Sequence, residues 1–259
     1  KVGRVLRPFD PARASPGHRT GGLPFDADFD YSYEATLRSV EHSLLRTGLT
    51  RFDILLIHDL DTFVHRDSAV MEHHYAVAMD GALRALHELR DAGLVQAIGV
   101  GLNEASTAAR LLRDTDLDCV LLAGRYTLLD RSAEEEVLPI CRSRGIAFIA
   151  GGPFNSGILA APRRPGAPFH YAAAGSSVMA RAAKLDELAH AHGIPLQAAA
   201  LQYALRRPEV AAVIPGSMSA AEQMQIRAWY HVTVPESFWD AHDDHGFTAP
   251  TAVSTSGDA

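Results

Sequence analysis

Cysteine is nearly absent: the 259 residues include only Cys119 and Cys141, both in or beside apolar segments and without ligand-like spacing. That leaves no material for a disulfide framework or a cysteine metal centre. It fits a reducing compartment, the cytoplasm, with both thiols as small core residues. Long hydrophobic runs are missing too; none approaches the ~18 consecutive apolar residues of a membrane span. Positive charge is scarce, with 24 Lys and Arg against 31 Asp and Glu and a net charge of -7, which argues against nucleic-acid binding through a basic surface. The chain also lacks an initiator Met, beginning Lys1-Val2-Gly3-Arg4, so it is silent on any targeting segment. What is present is ordinary for a globular protein, 47% hydrophobic and 21% charged, long enough for one large domain or two small ones.

One stretch organises the rest. Arg51-Phe-Asp-Ile-Leu-Leu-Ile-His-Asp-Leu60 carries an unbroken aliphatic run, Ile54 to Ile57, that stops at His58 and Asp59. Such a short, partly β-branched run predicts a strand buried on both faces, as in a parallel sheet. Upstream, residues 1–29 carry much Pro, Gly and Asp with no period and read as a loop. Leu37, Val40, Leu44 and Leu45 recur at helical spacing from Tyr33 to Thr47, with Gly48 as a stop. Residues 61–74 read as a polar connection and 75–92 as a helix closed by Gly93. Strands follow at Gln96–Asn103, Cys119–Ala123, Ile146–Ala150 and Val210–Ile214, with helices over Glu104–Arg113, Ala133–Arg144, Ser177–Ala191 and Leu196–Arg206 between them. A helix begins near Ser219, and the tail from Val234 holds one short helix around Phe238.

This alternation implies a parallel sheet flanked by helices. No internal repeat or linker is visible, so one domain spanning 1–259 is expected, with 246–259 as tail. Five strands fall short of the eight in a (β/α)₈ barrel. Either the sheet is open, or the first strands lie before Lys1. His58 with Asp59, Asn103, Gly124 to Tyr126, Gly151 to Gly157 and Pro215 to Ser217 all stand at strand C-termini, which a barrel collects on one rim. The last two segments put small residues ahead of a helix, a phosphate-binding arrangement built from backbone amides and the helix dipole. A phosphorylated or dinucleotide ligand over a hydrogen-bonding pocket would suit this set.

The pattern resembles a known family. Glu41-x-Ser43-Leu44-x-Arg46-x-Gly48 followed by Asp53-Ile-Leu-Leu-Ile-His58, then Gly99-Val-Gly-Leu-Asn103 and Ile214-Pro-Gly-Ser217, is similar in order and spacing to the aldo-keto reductases. Phe29-Asp-Tyr-Ser32, His58-Asp59, Gly124-Arg-Tyr-Thr-Leu-Leu-Asp130 and Pro153-Phe-Asn-Ser-Gly157 resemble its aldose 1-dehydrogenase branch, which has pyridoxal 4-dehydrogenase as a relative. The likeness runs from Lys1 to about His245. It implies an aldo-keto reductase (β/α)₈ barrel whose first strands are missing from this chain, with Lys1-Val-Gly-Arg as the end of the third strand and the strand ending at His58 as the fourth. The family's catalytic Asp and proton-transferring Tyr would then lie upstream. Asp26 and Tyr31 mimic that pair's spacing but follow the lysine, so they are not replacements for it.

The implied chemistry is hydride transfer between a substrate carbon and nicotinamide, on a sugar or aldehyde. By resemblance, Lys1 would lower the pKa of the tyrosine and His58 would orient the substrate oxygen. Asn103 would hold the carboxamide. Gly152, Pro153, Phe154, Ser156, Gly157 and Leu159, with Pro215, Gly216 and Ser217, would cradle the pyrophosphate and adenosine. Three family features are altered. The Gln on the sixth strand that binds the carboxamide is replaced by Ala123. The nicotinamide-stacking aromatic is replaced by Gly151 or Gly152, leaving Tyr126 or Phe154 to substitute. The Arg that grips an NADP 2′-phosphate is replaced by Met218, and Glu222 nearby would repel that phosphate and accept ribose hydroxyls. NAD is therefore expected over NADP.

Plainer readings compete: Asn103 as a helix cap, Tyr126 as core, and His65, His73 and His74 as solvated loop residues with no metal. Two other functions stay open. One is a non-catalytic nucleotide-binding module lacking the tyrosine; the other is a metal-dependent barrel hydrolase using His58, Asp59 and the His-rich loop. If the first strands are missing, the isolated chain would expose two sheet edges and show poor stability and little activity. Oligomeric state is not legible.

Overall fold

The computed structural model describes residues 1–10 and 25–244; the expected tail over 246–259 lies outside the described residues. Two compact units emerge, Lys1–Leu102 with Leu117–Val120, and Asn103–Asp116 with Leu121–Ala259.

The first unit opens with an antiparallel pair, β1 (Arg4–Pro8) and β2 (Phe25–Phe29), where a loop was expected. Asp is poorly suited to strands, yet here it supplies the cross-strand charge: Arg7 pairs with Asp26 at 3.0 Å and Asp28 at 2.9 Å. Helix α1 (Tyr33–Thr47) follows the expected span. Ser32 caps it by accepting from the Ala35 amide, and Gly48 ends it at a φ of 67°. Strand β3 (Ile54–His58) comes next, with Leu55, Leu56 and Ile57 buried. Full burial of each such side chain is worth roughly 1.5–3 kcal/mol.

The connection expected to be irregular is helical. Asp61 caps α2 (Thr62–His65), and the Asp67 carboxylate accepts from the Ala69 and Val70 amides to start α3 (Ser68–Ala78). A π turn, Met79–Leu83, carries the chain on into α4 (Arg84–Asp91). Strand β4 (Ala97–Leu102) lies parallel to β3, pairing Ile54 with Ala97 and His58 with Gly101. The other side of β3 is met by Val2, whose amide donates to the Leu56 carbonyl and whose carbonyl accepts from the His58 amide. The first residues of β5 (Cys119–Ala123) complete the unit beside β4. Gly99 is required there, because a Cβ would meet the Cys119 carbonyl oxygen at 2.1 Å.

In the second unit the order is the rest of β5, then β6 (Ala147–Gly151), then β9 (Val210–Ile214). Strands β6 and β9 are parallel, with Gly151 opposite Ile214. Helix α5 (Ala105–Asp114) precedes β5. A single helix was expected over Ala133–Arg144; Pro139, which has no N–H to give, and the stretched φ of -108° at Val137 divide it into α6 (Ser132–Glu136) and α7 (Leu138–Arg144). A hairpin of β7 (Pro168–Phe169) and β8 (Ala172–Ala173) comes before α8 (Ser176–Ala191), α9 (Leu196–Tyr203), α10 (Ala220–Tyr230) and α11 (Glu236–Asp244). Leu122, Leu128, Phe148 and Phe238, all at 0% exposure, mark its core.

Candidate active site

In the first unit, polar groups gather where β3 ends. His58 is half-buried, with Nε2 3.2 Å from Oδ2 of Asp59. Its pKa is lowered to about 4, first by burial, then by the Lys1 ammonium and the Arg4 guanidinium, which together outweigh Asp59. The imidazole is therefore neutral at pH 7. Lys1 extends its ammonium over Gly101, so that a Cβ on that glycine would lie 3.1 Å from Nζ. Desolvation is the largest influence on Lys1 and lowers its pKa, while Asp59 and Asp61 oppose the shift.

Asp59 is 8% exposed and makes an ion pair with Arg4, whose guanidinium also sits 4.7 Å above the ring of Phe29. Tyr31, fully buried, donates to the His58 carbonyl at 2.8 Å and lies 3.3 Å from the Asp59 carbonyl. Burial, then Asp59, raise its phenol pKa far above the ordinary value. The same hydroxyl lies 3.2 Å from Nε2 of His65. Beyond it, Tyr31 and Phe29 pack with His65 and His74, whose rings lie 4.5 Å apart. Among the described residues, no three His, Cys, Asp or Glu side chains converge as a metal site.

The second unit holds a cleft of about 560 Å³ at the ends of β5, β6 and β9. Small ligands and cofactors commonly occupy sites of roughly 300–1,000 Å³. Gly152, Phe154, Ser156 and Gly157 line it on one side, and Gly216, Ser217 and Glu222 on another. The strand ends are laced together, Gly124 donating to the Gly151 carbonyl at 2.8 Å and Gly152 to the Ile214 carbonyl at 3.0 Å. Ser219 caps α10 by accepting from the Glu222 amide, and the Glu222 carboxylate accepts in turn from the Met218 amide at 2.7 Å. Glu222 thus closes a capping arrangement as well as facing the cleft.

Other expected residues stand elsewhere. Tyr126 is 3% exposed, packed on Tyr203 and Phe148, and its hydroxyl accepts from Arg207 at 3.1 Å. It is a core residue, corrected from a stacking role. Leu159 is fully buried and Pro153 is buried, so neither lines the cleft. Pro215 lines a different hollow, with Leu201 and Ile226. Asn103 is buried and its carbonyl accepts from Arg125.

The cleft also includes Asn155, within the segment expected to cradle the cofactor, and three residues given no role from sequence: Arg164, His170 and Tyr171. Asn155 was legible only as part of a motif. Its amide bridges Thr127 at 2.5 Å and the Gly124 carbonyl at 3.1 Å, which fixes the loop after β6 to that after β5. His170 and Tyr171 form the hairpin tip at φ of 50° and 64°, and no sequence signal announces a His-Tyr pair in a turn that favours Asn-Gly. Arg125 and Asp130 hold His170, at 2.8 Å and 3.1 Å. Burial would raise the Asp130 pKa, but hydrogen bonds from His170 and Ser132, with Arg125, bring it down to about 2.

Comparison with known proteins places these features. Residues 21–246 match the Aldo/keto reductase family. Pyridoxal 4-dehydrogenase of Microbacterium luteolum is 39% identical over 239 residues, covering 92% of this chain and 70% of that protein. D-threo-aldose 1-dehydrogenase of a Pseudomonas species is 32% identical over 251 residues, covering 92% and 71%. Among solved structures, a glycerol dehydrogenase from Gluconobacter oxydans superposes with a TM-score of 0.66 at 17% identity, covering 100% of this chain and 74% of that one. The holo form of an aldo-keto reductase from Bacillus halodurans gives a TM-score of 0.64 at 19% identity, over 88% of this chain and 71% of that one. The fold is α/β, of the aldo-keto reductase barrel type. Fold and relatives together define an oxidoreductase that uses a nicotinamide cofactor. The chain belongs to the aldo/keto reductase family. Among the described residues, no helix is long and apolar enough to cross a membrane.

Proposed function

We propose that the protein oxidises an aldose at its anomeric carbon, giving the lactone, with NAD as the cofactor. One observation carries the reading: His58, kept neutral by burial and by Lys1, stands with that lysine's ammonium at the C-terminal end of a buried parallel strand. Bound in the cleft of the second unit, the nicotinamide would supply the hydride acceptor. A neutral imidazole is suited to hydrogen-bond a substrate oxygen and fix its orientation without adding charge. The Lys1 ammonium, its pKa lowered by desolvation, would stabilise a phenolate taking the hydroxyl proton.

The residues of the cleft fit a dinucleotide. Gly152, at a φ of 61°, leaves open space toward the cleft, a Cβ there meeting nothing nearer than the Gly124 nitrogen at 3.7 Å. Ser217 and Gly216 precede the capped start of α10, where amides and the helix dipole favour phosphate oxygens. Arg164, on the same cleft, would balance pyrophosphate charge. The preference for NAD rests on Glu222, whose carboxylate repels a 2′-phosphate, and on exposed Met218, which offers that phosphate no charge. Asn103 remains a carboxamide-binding proposal. The two free, buried cysteines support a reducing, cytoplasmic setting.

A second reading has pyridoxal as the substrate, favoured by the 39% identity to a pyridoxal 4-dehydrogenase against 32% to the aldose enzyme. The full-length gene product should be given NAD or NADP with L-fucose, L-galactose, D-arabinose and pyridoxal, and the appearance of reduced cofactor followed by absorbance. Turnover of one of these with NAD is expected, and His58→Gln should lower kcat/KM by about 10²-fold. No reduction with any of the four would overturn the proposal, and a clear preference for NADP would overturn its cofactor half.

A further inference from the structure

Asp59 breaks a rule of the strand it follows. Along an extended chain, successive side chains point to opposite faces, so a carboxylate after His58 would be expected to face away from the imidazole. Asp59 instead adopts a left-handed φ of 54°, uncommon for a residue with a Cβ though least so for Asp and Asn. Its Oδ2 lies 3.2 Å from Nε2 of His58. Such backbone conformations persist only where the surroundings impose them, and they concentrate at functional sites.

The surroundings do impose it. The Tyr31 hydroxyl holds the carbonyls on both sides of this turn, His58 at 2.8 Å and Asp59 at 3.3 Å. Tyr31 is seated against Gly3, where a Cβ would come within 2.4 Å of the ring. Arg4 ion-pairs with the same Asp59 oxygen that faces the imidazole. The sequence segments Phe29-Asp-Tyr-Ser32 and His58-Asp59 thus meet in one assembly that no role in hydride transfer has yet absorbed.

We propose that Asp59 is a positioning residue for His58: its carboxylate, held by Arg4, accepts a hydrogen bond from Nε2–H and fixes the tautomer and tilt of the ring. The proposal rests on His58 being the substrate-orienting residue. A carboxylate can only accept, and a neutral imidazole has one proton. With that proton committed to Asp59, Nδ1 is left as an acceptor. It can accept from a second hydroxyl of the substrate, the reacting hydroxyl's proton being left to the phenolate, which matches a sugar or other polyol as the bound substrate.

Asp59→Asn keeps the shape and tolerates the left-handed backbone; Asp59→Gly keeps the backbone conformation and removes the side chain. In the full-length protein with ¹⁵N-labelled histidine, a hydrogen-bonded Nε2–H signal of His58 is expected in the wild type, weakened in Asp59→Asn, whose amide oxygen is a poorer acceptor, and lost in Asp59→Gly. NAD affinity should be unchanged, and kcat/KM should fall by about tenfold, non-additively with His58→Gln: on that background, Asp59→Asn should cost less than about twofold. Additive losses, or a His58 proton resting on Nδ1 in the wild type, would overturn the positioning role. If His58→Gln alone leaves turnover intact, it is the catalytic reading of His58 that falls, while the imidazole signal still decides the contact.

Discussion

Gly101 shows how much of this site is decided by single atoms. It lies opposite His58 in the β3–β4 register, and its missing Cβ makes room for the Lys1 side chain, whose Cε would be 3.0 Å from an added methyl. That neighbour is the far end of a flexible chain, so Gly101→Ala should leave thermal stability almost unchanged. It should displace the ammonium and lower kcat/KM by about tenfold with NAD affinity intact. A variant that melts early, or keeps full turnover, would count against Lys1 being placed by this glycine. At this scale, the sequence exposed the residues that a motif spells out, His58, Gly152 and Ser217 among them. It concealed those that chain folding brings in from a distance. Nothing local to Arg4 connects it with Asp59, and the reading of Tyr126 failed because a tyrosine in a loop motif carries no mark of whether it faces a ligand or the core.

Elements with unbroken apolar runs were legible. The strand ending at His58, the one at Cys119–Ala123 and the one at Val210–Ile214 lie where their unbroken apolar runs put them, although in the last only Val210 is buried. The hairpin of β1 and β2 was hidden by its Asp residues, which are poor strand formers rescued by Arg7. The start of α3 was hidden by its polar first turn, although Asp67 is a regular cap. The π turn within the long helix was not legible at all, and its reason is packing. Gly81 sits against the Tyr31–Tyr33 backbone, where a Cβ would be 2.6 Å from the Tyr31 carbonyl oxygen, while the Ala82 amide donates to that same oxygen at 2.9 Å. Backbone cannot move aside as a side-chain tip can. Gly81→Ala should therefore destabilise the protein by about 1–3 kcal/mol in urea unfolding. A loss below about half a kcal/mol would mean that the helix shifts freely and that the close approach is not required.

Across the whole molecule, burial acts on titratable groups with a consistent sign at each end of the pH scale. His58, His65, His74 and His242 all have pKa values below the ordinary 6.5, with desolvation the leading cause in each. Between about pH 6.5 and 4 the unfolded chain binds more protons than the folded one, so stability falls as pH drops through that window. Asp130, held at about 2 against an ordinary 3.8, adds a further loss only below that value. At the alkaline end burial pushes Cys119 up to about 11 and Cys141 up to about 12, from an ordinary 9.0, and raises the Tyr31, Tyr126 and Tyr203 phenols. The unfolded chain then loses protons first, and stability declines as pH rises above about 9. Thermal melts should show a plateau between roughly pH 6.5 and 9 with descending limbs on both sides, Tm dropping about 2–4 °C for each kcal/mol lost. The acidic limb should begin with the histidines, near pH 6, well before the carboxylates titrate. A Tm that holds level from pH 8 down to pH 5 would show that these imidazoles are as solvated when folded as when unfolded, and would remove the basis for a neutral, desolvated His58 along with it.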